Sequence, residues 1–540
     1  MASLLLRLPR TLLLISTIFL STTWALNTTT TLDTHLSEIQ SICKATPYPD
    51  VCFDSLKLSI SINISPTILT YVLQTLQLAT TEAEKLTEML FNSGNKVIVE
   101  KQRGTIQDCM ELHQITLSSL QRSVSRISSS SDARKLSDAK AFLSAALTNK
   151  NTCLEGLETA TGLFKPVLMS SMVNAYKYIS NSLSILATPP FKPLQGRKNR
   201  RLLGYPRWVS RKSRRILESS LDDGYDLSET LTVAADGTAN FTTVMDAIHY
   251  APNNSYDRTI IFVKQGVYEE NVEILSYKTN IVLLGDGSNV TVITGSRSVF
   301  DGWTTFRSAT VAVSGDGFLA RDITFENTAG PEKHQAVALR VNADLAAVYR
   351  CVINGYQDTL YIHSFRQFYR ECDIFGTVDY IFGNAAVVFQ GCNIISKLPM
   401  PGQYIAITAQ SRDTPDMNTG ISIQNCSILA SDELYESNLM VESYLGRPWR
   451  EYARTVYLES YIDDFITPAG WKEWSGDVGL GTLYYGEYGN SGPGSRTDNR
   501  VTWPGYHVME YYDASNFSVS EFITGEEWLD STSFPYDNGV

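Results

Sequence analysis

The chain has 540 residues, more than one ordinary hydrophobic core holds, so we expect two or three domains. Its hydrophobic content of 43% and aromatic content of 11% exclude an intrinsically disordered protein. The net charge of −12 divides into +12 over residues 1–217 and −24 over residues 218–540, and the acidic second part excludes nucleic acid as its partner.

Residues 1–25 have the organisation of a secretory signal peptide. Arg7 and Arg10 form a basic start, an apolar run covers residues 12–20, and Thr23-Trp24-Ala25 is a suitable cleavage site. The run is short for a transmembrane helix, and no later stretch reaches about 18 apolar residues. We therefore expect a secreted protein with no membrane span in its mature form; a retained signal anchor is the alternative.

Secretion makes N-glycosylation and disulfide formation possible. The chain carries seven Asn-x-Ser/Thr sequons, at Asn27, Asn63, Asn240, Asn253, Asn289, Asn425 and Asn516. Its eight cysteines fall into two sets of four, Cys43, Cys52, Cys109 and Cys153, then Cys351, Cys372, Cys392 and Cys426. Two even sets suggest two domains, each with its own bridges.

Residues 32–190 are typical of a helical domain, rich in Leu, Ser, Ala, Thr and Lys with few glycines. Stretches that start at Ile68 and Ala139 place apolar residues three and four positions apart, which is the helical period. Several such segments in succession predict an antiparallel helix bundle.

Residues 191–217 form a basic linker. Ten basic residues and no acidic residue lie between Lys192 and Arg215. The pairs Arg200-Arg201 and Arg214-Arg215 are good protease targets on an exposed segment, so we interpret the linker as a processing region. A solvated linker without cleavage is the alternative.

Residues 218–540 change to short β-rich runs separated by Gly, Asn and Asp, with no helices of crossover length between them. Cys-x-Ile recurs at Cys351, Cys372, Cys392 and Cys426, in steps of 21, 20 and 34 residues. These steps suit successive coils of a parallel β-helix. The sequence leaves the pairing of these cysteines open; the bridges Cys351–Cys372 and Cys392–Cys426 are favoured, since each would join successive coils.

The repeat places two carboxylates side by side. The segment from Ile353 to Asp358 aligns with the segment from Ile374 to Asp379, every equivalent pair being 21 residues apart. If that interval is one coil, the two aspartates occupy neighbouring rungs, where like charges repel by about 3 kcal/mol at about 5 Å. Pairing Asp379 with Arg447 would depress its pKa and leave Asp358 able to hold a proton. A polar-ladder role for both aspartates is the alternative.

Five motifs in sequence order resemble the pectin methylesterase family. They are Gly266-Val-Tyr-Glu-Glu-Asn271, Gln335-Ala-Val-Ala-Leu339, Gly355-Tyr-Gln-Asp-Thr-Leu-Tyr361, Gly376-Thr-Val-Asp-Tyr-Ile-Phe-Gly383 and Leu445-Gly-Arg-Pro-Trp449. The resemblance covers nearly the whole chain after the signal peptide. It implies a right-handed parallel β-helix over residues 218–540 that hydrolyses the methyl esters of pectin, a methyl-esterified homogalacturonan.

The resemblance also implies roles for individual residues. Asp379 would be the nucleophile and Asp358 the general acid and base. Gln335 and Gln357 would stabilise the oxyanion, and Arg447 would orient Asp379. Tyr361, Phe382 and Trp449, together with Gln335, would line the substrate cleft. The scheme requires no cofactor and no metal.

The first part of the chain resembles the inhibitor-like pro-region of the same family. Cys43-Lys-Ala-Thr-Pro-Tyr-Pro-Asp-Val-Cys52 and the stretch Leu143–Cys153 carry this resemblance. It implies a four-helix bundle with bridges Cys43–Cys52 and Cys109–Cys153. It also implies a subtilisin-like processing protease, proteinaceous pectin methylesterase inhibitors as partners, and a monomer secreted to the cell wall. The pro-region would either restrain activity or assist folding.

Three other classes of protein are alternatives. A silent wall protein or inhibitor is disfavoured because all the catalytic positions are intact, and a serine esterase because Gly-x-Ser-x-Gly is missing. A pectate lyase or polygalacturonase would also be a β-helix, but a lyase needs calcium-binding carboxylates and an arginine base. The charge of −24 over residues 218–540 further predicts weak retention on anionic pectate.

Overall fold

The computed structural model describes residues 36–57, 68–92, 98–129, 132–188, 230–437 and 439–540. The predicted signal peptide, the processing arginines Arg200, Arg201, Arg214 and Arg215, and the sequons Asn27 and Asn63 lie outside the described residues. Below, the helical domain means the described residues up to 188, and the β-helix domain means residues 230–540.

The helical domain is a four-helix bundle, as predicted. Residues 36–44 are helical, and five further helices follow: α1 Pro49–Lys57, α2 Ile68–Asn92, α3 Thr105–Ser129, α4 Ala133–Thr159 and α5 Lys165–Ala187. The four long helices close a ring, since each of α2 to α5 packs against its two neighbours. Leucines and alanines at helical spacing, such as Leu136, Ala139 and Leu143, fill the interior between them.

Both early disulfides form in the helical domain with the pairing that the resemblance implied. Cys43–Cys52 closes a loop of 9 residues, and Cys109–Cys153 joins α3 to α4 across 44 residues. A longer loop loses more chain entropy in the unfolded state when it is closed, so the second bridge is the more stabilising of the two.

Replacing Cys109 and Cys153 together with Ser should lower the free energy of unfolding of the helical domain by about 4 kcal/mol. Urea unfolding of the full chain, followed by helical circular dichroism, measures this loss. The pair Cys43→Ser and Cys52→Ser is the matched control and should cost less, because its loop is shorter. Equal losses from both pairs would contradict the loop-entropy explanation.

The described residues of the β-helix domain form 26 strands in three parallel sheets, and seven coils of the chain contribute one strand to each sheet. The first sheet contains β1 Leu231–Val233, β2 Thr259–Val263, β5 Ile281–Gly285, β8 Leu319–Arg321, β11 Ala346–Tyr349, β14 Arg366–Arg370, β17 Ala386–Gln390, β20 Gly420–Gln424, β23 Arg454–Leu458, β25 Tyr484–Tyr488 and β26 Tyr506–Val508. The second contains β4 Val272–Ile274, β7 Val311–Val313, β10 Leu339–Asn342, β13 Leu360–Ser364, β16 Val378–Gly383, β19 Ile405–Gln410 and β22 Ser443–Pro448. The third contains β3 Gly266–Glu269, β6 Thr291–Gly295, β9 Thr324–Asn327, β12 Val352–Asn354, β15 Asp373–Gly376, β18 Asn393–Ser396, β21 Ser427–Ala430 and β24 Tyr461–Ile462. The predicted right-handed parallel β-helix is confirmed.

The Cys-x-Ile repeat marks equivalent positions on successive coils. Ile353 pairs with Ile374, Ile374 with Ile394, and Ile394 with Ile428, all in parallel register. These isoleucines are fully buried and form a column in the interior of the coil. Successive rungs are about 4.8 Å apart, so each isoleucine covers apolar surface of the next one. The column therefore excludes water without a second sheet or helix packed against it.

The expected bridges Cys351–Cys372 and Cys392–Cys426 are wrong, because all four late cysteines are buried free thiols. Their side chains lie at equivalent interior positions on successive coils. The thiol of Cys372 contacts the carbonyl of Arg370 at 3.3 Å, and that of Cys426 contacts the carbonyl of Gln424 at 3.2 Å. Each of these two thiols thus contacts the backbone carbonyl two residues before it and forms no bridge between coils.

Short helices complete the β-helix domain: α6 Val244–Tyr250, α7 Asp432–Glu436, α8 Tyr511–Ser515 and α9 Val519–Phe522. Helix α6 packs against β1, β2 and β4, where the first coils begin. Phe522 and other apolar residues of the C-terminal segment pack against the outer side of the first sheet. None of the described helices is long and apolar enough to span a membrane.

The helical domain lies on the second sheet, with α4 in contact with β13. Side chains of opposite charge meet across this interface. The ion pairs are Arg307 with Asp108 and Glu111, Arg340 with Glu111, Arg122 with Asp316 and Asp344, Arg366 with Asp138, Arg134 with Glu527, and Arg450 with Glu155. The interface covers the part of the second sheet where the predicted site residues lie.

Candidate active site

The two predicted aspartates lie on adjacent coils at the start of neighbouring strands. In the second sheet, β13 pairs with β16 so that Leu360 lies opposite Ile381. Asp358 and Asp379 each stand two positions before this pair, and the amide of Asp358 donates to the carbonyl of Val378 at 3.0 Å. The interval of 21 residues is therefore one coil, as the repeat predicted.

Both aspartates have left-handed backbone conformations, with φ of 63° at Asp358 and 53° at Asp379. Aspartate tolerates this region better than most residues, and such local strain is typical of functional sites. A register irregularity between Val378 and Ile381 shows that the strand bulges at Asp379. Next to the bulge, Tyr380 packs closely against Gly376. A Cβ at position 376 would lie 2.2 Å from the Cβ of Tyr380, so a larger residue does not fit there.

Arg447 binds Asp379 through two parallel hydrogen bonds. Nε donates to Oδ1 at 2.8 Å and Nη2 donates to Oδ2 at 2.5 Å. The arginine reaches Asp379 from β22, and its guanidinium lies 3.9 Å from the ring centroid of Trp474. A bidentate pair held against an aromatic face fixes the orientation of the carboxylate.

The surroundings of the two carboxyl groups differ. Burial, and then the charge of Asp379, raise the pKa of Asp358 well above its usual range. Burial also raises the pKa of Asp379, and the Arg447 guanidinium lowers it again only in part. Arg447 therefore depresses the pKa of Asp379, as predicted, although burial leaves that pKa above its ordinary value. The predicted order holds, since Asp358 retains a proton more readily than Asp379.

Gln335 and Gln357 line the same cavity as the two aspartates. Their backbones are held in place on adjacent coils, because the amide of Ala336 donates to the carbonyl of Gln357 at 3.2 Å. Both side chains are half-buried. The cavity thus combines one carboxylate held by arginine, one protonatable carboxyl and two amides, which can serve as nucleophile, proton donor and oxyanion ligands.

A row of aromatic rings follows the axis of the β-helix along this cavity. Tyr361 stacks on Phe382 with centroids 4.2 Å apart, and Trp449 lies 6.0 Å beyond Phe382. The structure therefore brings together the three predicted cleft residues. It adds Phe306, 6.4 Å from Tyr361, and Trp474, 6.4 Å from Trp449. Sequence reasoning missed these two because both lie outside the five motifs.

The helical domain contributes further residues to the cavity, which the sequence did not indicate. Thr105, Asp108, Thr152 and Glu155 line it together with the two aspartates. Thr152 Oγ1 lies 2.9 Å from His363 Nε2, and Glu155 forms an ion pair with Arg450. No short motif predicts such residues, because they reach the site only through the packing of α3 and α4 on the second sheet.

Comparison with known proteins agrees with the fold. The family profile described as Pectinesterase matches residues 230–526, and the profile described as Plant invertase/pectin methylesterase inhibitor matches residues 37–185. The chain is similar to "Probable pectinesterase/pectinesterase inhibitor 12" of Arabidopsis thaliana, with 66% identity over 519 residues, which cover 94% of this chain and 95% of that protein.

A second relative, "Pectinesterase 2" of Citrus sinensis, is 44% identical over 504 residues, covering 93% of this chain and 95% of that one. Among solved structures, pectin methylesterase from carrot matches with a TM-score of 0.58 and 51% identity, over 60% of this chain and 100% of that chain. The chain therefore belongs to the pectinesterase family of carboxylic ester hydrolases, and an inhibitor-family domain precedes its β-helix.

Proposed function

We propose that the chain hydrolyses methyl esters of homogalacturonan to pectate and methanol, with Asp379 as the nucleophile and Asp358 as the general acid and base. One observation carries the assignment: Arg447 holds Asp379 in a bidentate ion pair, while Asp358 beside it has the more strongly raised pKa. Two neighbouring carboxyl groups with different surroundings divide the roles of charged nucleophile and proton donor between them.

Catalysis proceeds in two steps. Asp379 attacks the ester carbonyl carbon, and Gln335 and Gln357 donate hydrogen bonds to the oxyanion that develops. Asp358 gives its proton to the departing methoxide, so methanol leaves and an acyl-enzyme remains. Asp358 then accepts a proton from water as the water attacks the acyl-enzyme. Hydrolysis of that intermediate releases the free galacturonate and restores Asp379.

We further propose that the helical domain blocks the active site until it is removed. Thr105, Asp108, Thr152 and Glu155 occupy one wall of the cavity that the polymer must enter. The ion pairs across the interface hold the two domains together. Cleavage at Arg200-Arg201 or Arg214-Arg215 by a subtilisin-like protease would release the β-helix domain, which matches the whole of the solved carrot chain.

We also propose that the protein is secreted to the cell wall and N-glycosylated, and that the mature enzyme is a monomer. The sequons at Asn240, Asn253, Asn289, Asn425 and Asn516 are all solvent-exposed, which supports their use as glycan acceptors. The substrate itself is a wall polymer. Independent pectin methylesterase inhibitors are expected to bind the face that the helical domain covers here.

The pH dependence of methanol release tests the two aspartate roles. Asp379 must be ionised, so the rate should fall as the pH drops through its pKa. Asp358 must be protonated, so the rate should also fall as the pH rises through its raised pKa. Asp358→Asn should lower kcat by about 10²–10⁴-fold and remove the alkaline limb of the profile.

Methanol release by the processed protein is measured across the pH range for both forms. An alkaline limb that persists unchanged in Asp358→Asn would overturn its assignment as the general acid. No methanol from the processed wild type would instead count against the esterase itself. Unsaturated, ultraviolet-absorbing products that depend on calcium would indicate a lyase.

A further inference from the structure

Lys397 connects two coils of the β-helix that are not adjacent. It follows β18, and its amide donates to the carbonyl of Gly376 on the preceding coil at 2.8 Å. Its side chain extends one coil further, where Nζ donates to Asn354 Oδ1 at 3.2 Å and to the carbonyl of Gly355 at 3.1 Å. Nζ also lies 3.6 Å from the ring centroid of Tyr356, within the range of a cation–π contact. Asn354, Gly355 and Tyr356 end β12 and are called the β12 turn below.

The β12 turn leads directly into two residues of the proposed active site, Gln357 and Asp358. The carbonyl of Tyr356, at the end of the turn, accepts from the amide of Thr377 on the next coil at 3.0 Å. Lys397 supplies the contacts at the start of the turn. Asp358 has a φ of 63°, a conformation that the surrounding structure must maintain. A shift of the turn would therefore move the side chains of both active-site residues relative to the ester.

Lys397 lies close to the reaction without contacting it. Of the described residues, the lining of the cavity includes Gln357 and Asp358 but neither Lys397 nor Tyr356. The side chain of Lys397 is half-buried on the outer side of the turn. Lys397 can therefore influence the reaction only through the backbone that it holds.

The surroundings of the ammonium group disfavour its charge. Both of its hydrogen-bond acceptors are neutral oxygens, one from a side-chain amide and one from a backbone carbonyl. Burial, opposed only in part by the charges of Glu433 and Glu326, lowers the pKa of Lys397 to about 8. An apolar side chain of similar length would avoid the desolvation of this charge. Charges kept in such surroundings are found more often at functional sites than elsewhere.

We propose that Lys397 is a positioning residue for ester hydrolysis, whose ammonium group holds the β12 turn in the arrangement that points Gln357 at the oxyanion and Asp358 at the leaving methoxide. The inference rests on the proposed function, which gives these two residues their roles. Hydrogen-bond donors stabilise a developing oxyanion only over a narrow range of distance and angle. Loosening the turn therefore slows the chemical step without preventing the polymer from binding.

A purely structural role for Lys397 makes different predictions. If Lys397 only stabilised the fold, its loss would lower the melting temperature and leave kcat of the folded protein unchanged. If it positions the turn, its loss lowers kcat while the melting temperature changes little, because the desolvation of the ammonium group is removed together with its contacts. Measurement of kcat, KM and the melting temperature on the same variants distinguishes the two roles.

The experiment measures methanol release from esterified pectin by the full chain after processing. Lys397→Met keeps the length of the side chain but not its charge or its donors, and should lower kcat by about tenfold with KM within about twofold of wild type. Lys397→Arg keeps the charge and can donate to both oxygens, so it should recover kcat to within about threefold of wild type. Lys264→Met, on the turn between β2 and β3, is the matched control and should keep the wild-type kcat.

A double-mutant cycle tests whether Lys397 acts through the β12 turn. Asn354→Ala removes one of the two oxygens that accept from Nζ, and it should also lower kcat with KM unchanged. In the Lys397→Met background the same change should cost less than it does in wild type, because the contact has already been lost. Full multiplication of the two effects would overturn the proposal.

A wild-type kcat in folded Lys397→Met would also overturn the proposal, as would a loss of kcat that Lys397→Arg does not restore at all. If Lys397→Met is not secreted, Asn354→Ala decides, since a wild-type kcat in that variant contradicts positioning through the turn. Failure of the proposed function gives a different result: the processed wild type would release no methanol, or Gln357→Ala would keep the wild-type kcat.

Discussion

Asp379→Asn should lower kcat for methanol release from esterified pectin by at least about 10⁴-fold. The amide cannot attack the ester carbonyl, and no neighbouring group takes over, because Asp358 holds a proton and lacks the bidentate contact with Arg447. Asn has nearly the same shape as Asp, so the bulge at the start of β16 is retained. Substrate binding should therefore change little while the chemical step is lost.

The control is Asp373→Asn on the preceding strand of the same coil, where the carboxylate accepts a hydrogen bond from Asn393 away from the cleft. This variant should keep the wild-type rate. Thermal unfolding of both variants shows whether either loses the fold. Residual activity above about one hundredth of wild type in a folded Asp379→Asn protein would rule out Asp379 as the nucleophile.

Intact precursor should release methanol at less than about one hundredth of the rate of the processed enzyme. The covalent linker keeps the helical domain at an effective concentration in the millimolar range, so even a moderate interface stays closed. The precursor should stay uncut when Gln replaces the four linker arginines, Arg200, Arg201, Arg214 and Arg215. Insertion of a site for a specific protease into residues 191–217 then allows the same protein to be assayed before and after cleavage.

Charge reversal at the interface should open the uncut precursor. Asp108→Lys with Glu155→Lys places ammonium groups against Arg307 and Arg450. Breaking the buried Arg307–Asp108 pair in this way costs about 3–5 kcal/mol, and the part-exposed Arg450–Glu155 pair contributes less. Glu158→Lys is the matched control, since Glu158 lies on the same helix as Glu155 but is exposed. Recovery of activity in the double variant and not in the control supports blockade. Full activity of the uncut wild type would exclude it.

The sequence predicted the architecture of the β-helix domain because individual residues recur at the interval of one coil. The Cys-x-Ile steps gave the coil length, and the coil length alone placed Asp358 beside Asp379. The helical period around Ile68 and Ala139 predicted the bundle in the same way. In a repetitive fold, the spacing of residues along the chain is enough to predict which residues are neighbours in the structure.

Features that depend on direction or on packing between domains were not predictable in this way. Spacing brought Cys351 and Cys372 onto adjacent rungs but did not reveal the directions of their side chains, so a disulfide seemed possible where none forms. Likewise, the sequence predicted the pairing of Asp379 with Arg447, whereas the burial that outweighs this pairing in setting the pKa depends on packing that spacing does not show. Asp108 and Glu155 likewise reach the site only because the helical domain packs on the second sheet.

The aromatic row runs along the axis of the β-helix, so the length of the cleft is measured in whole coils. Duplicating one coil of 21 residues, as from Leu360 to Ile381, would extend the cleft by one rung of about 4.8 Å. A single inserted residue within a strand would instead turn its interior side chains outward. Relatives that act on longer or shorter stretches of polymer can therefore arise by gain or loss of entire repeats, with Asp358, Asp379 and Arg447 carried along unchanged.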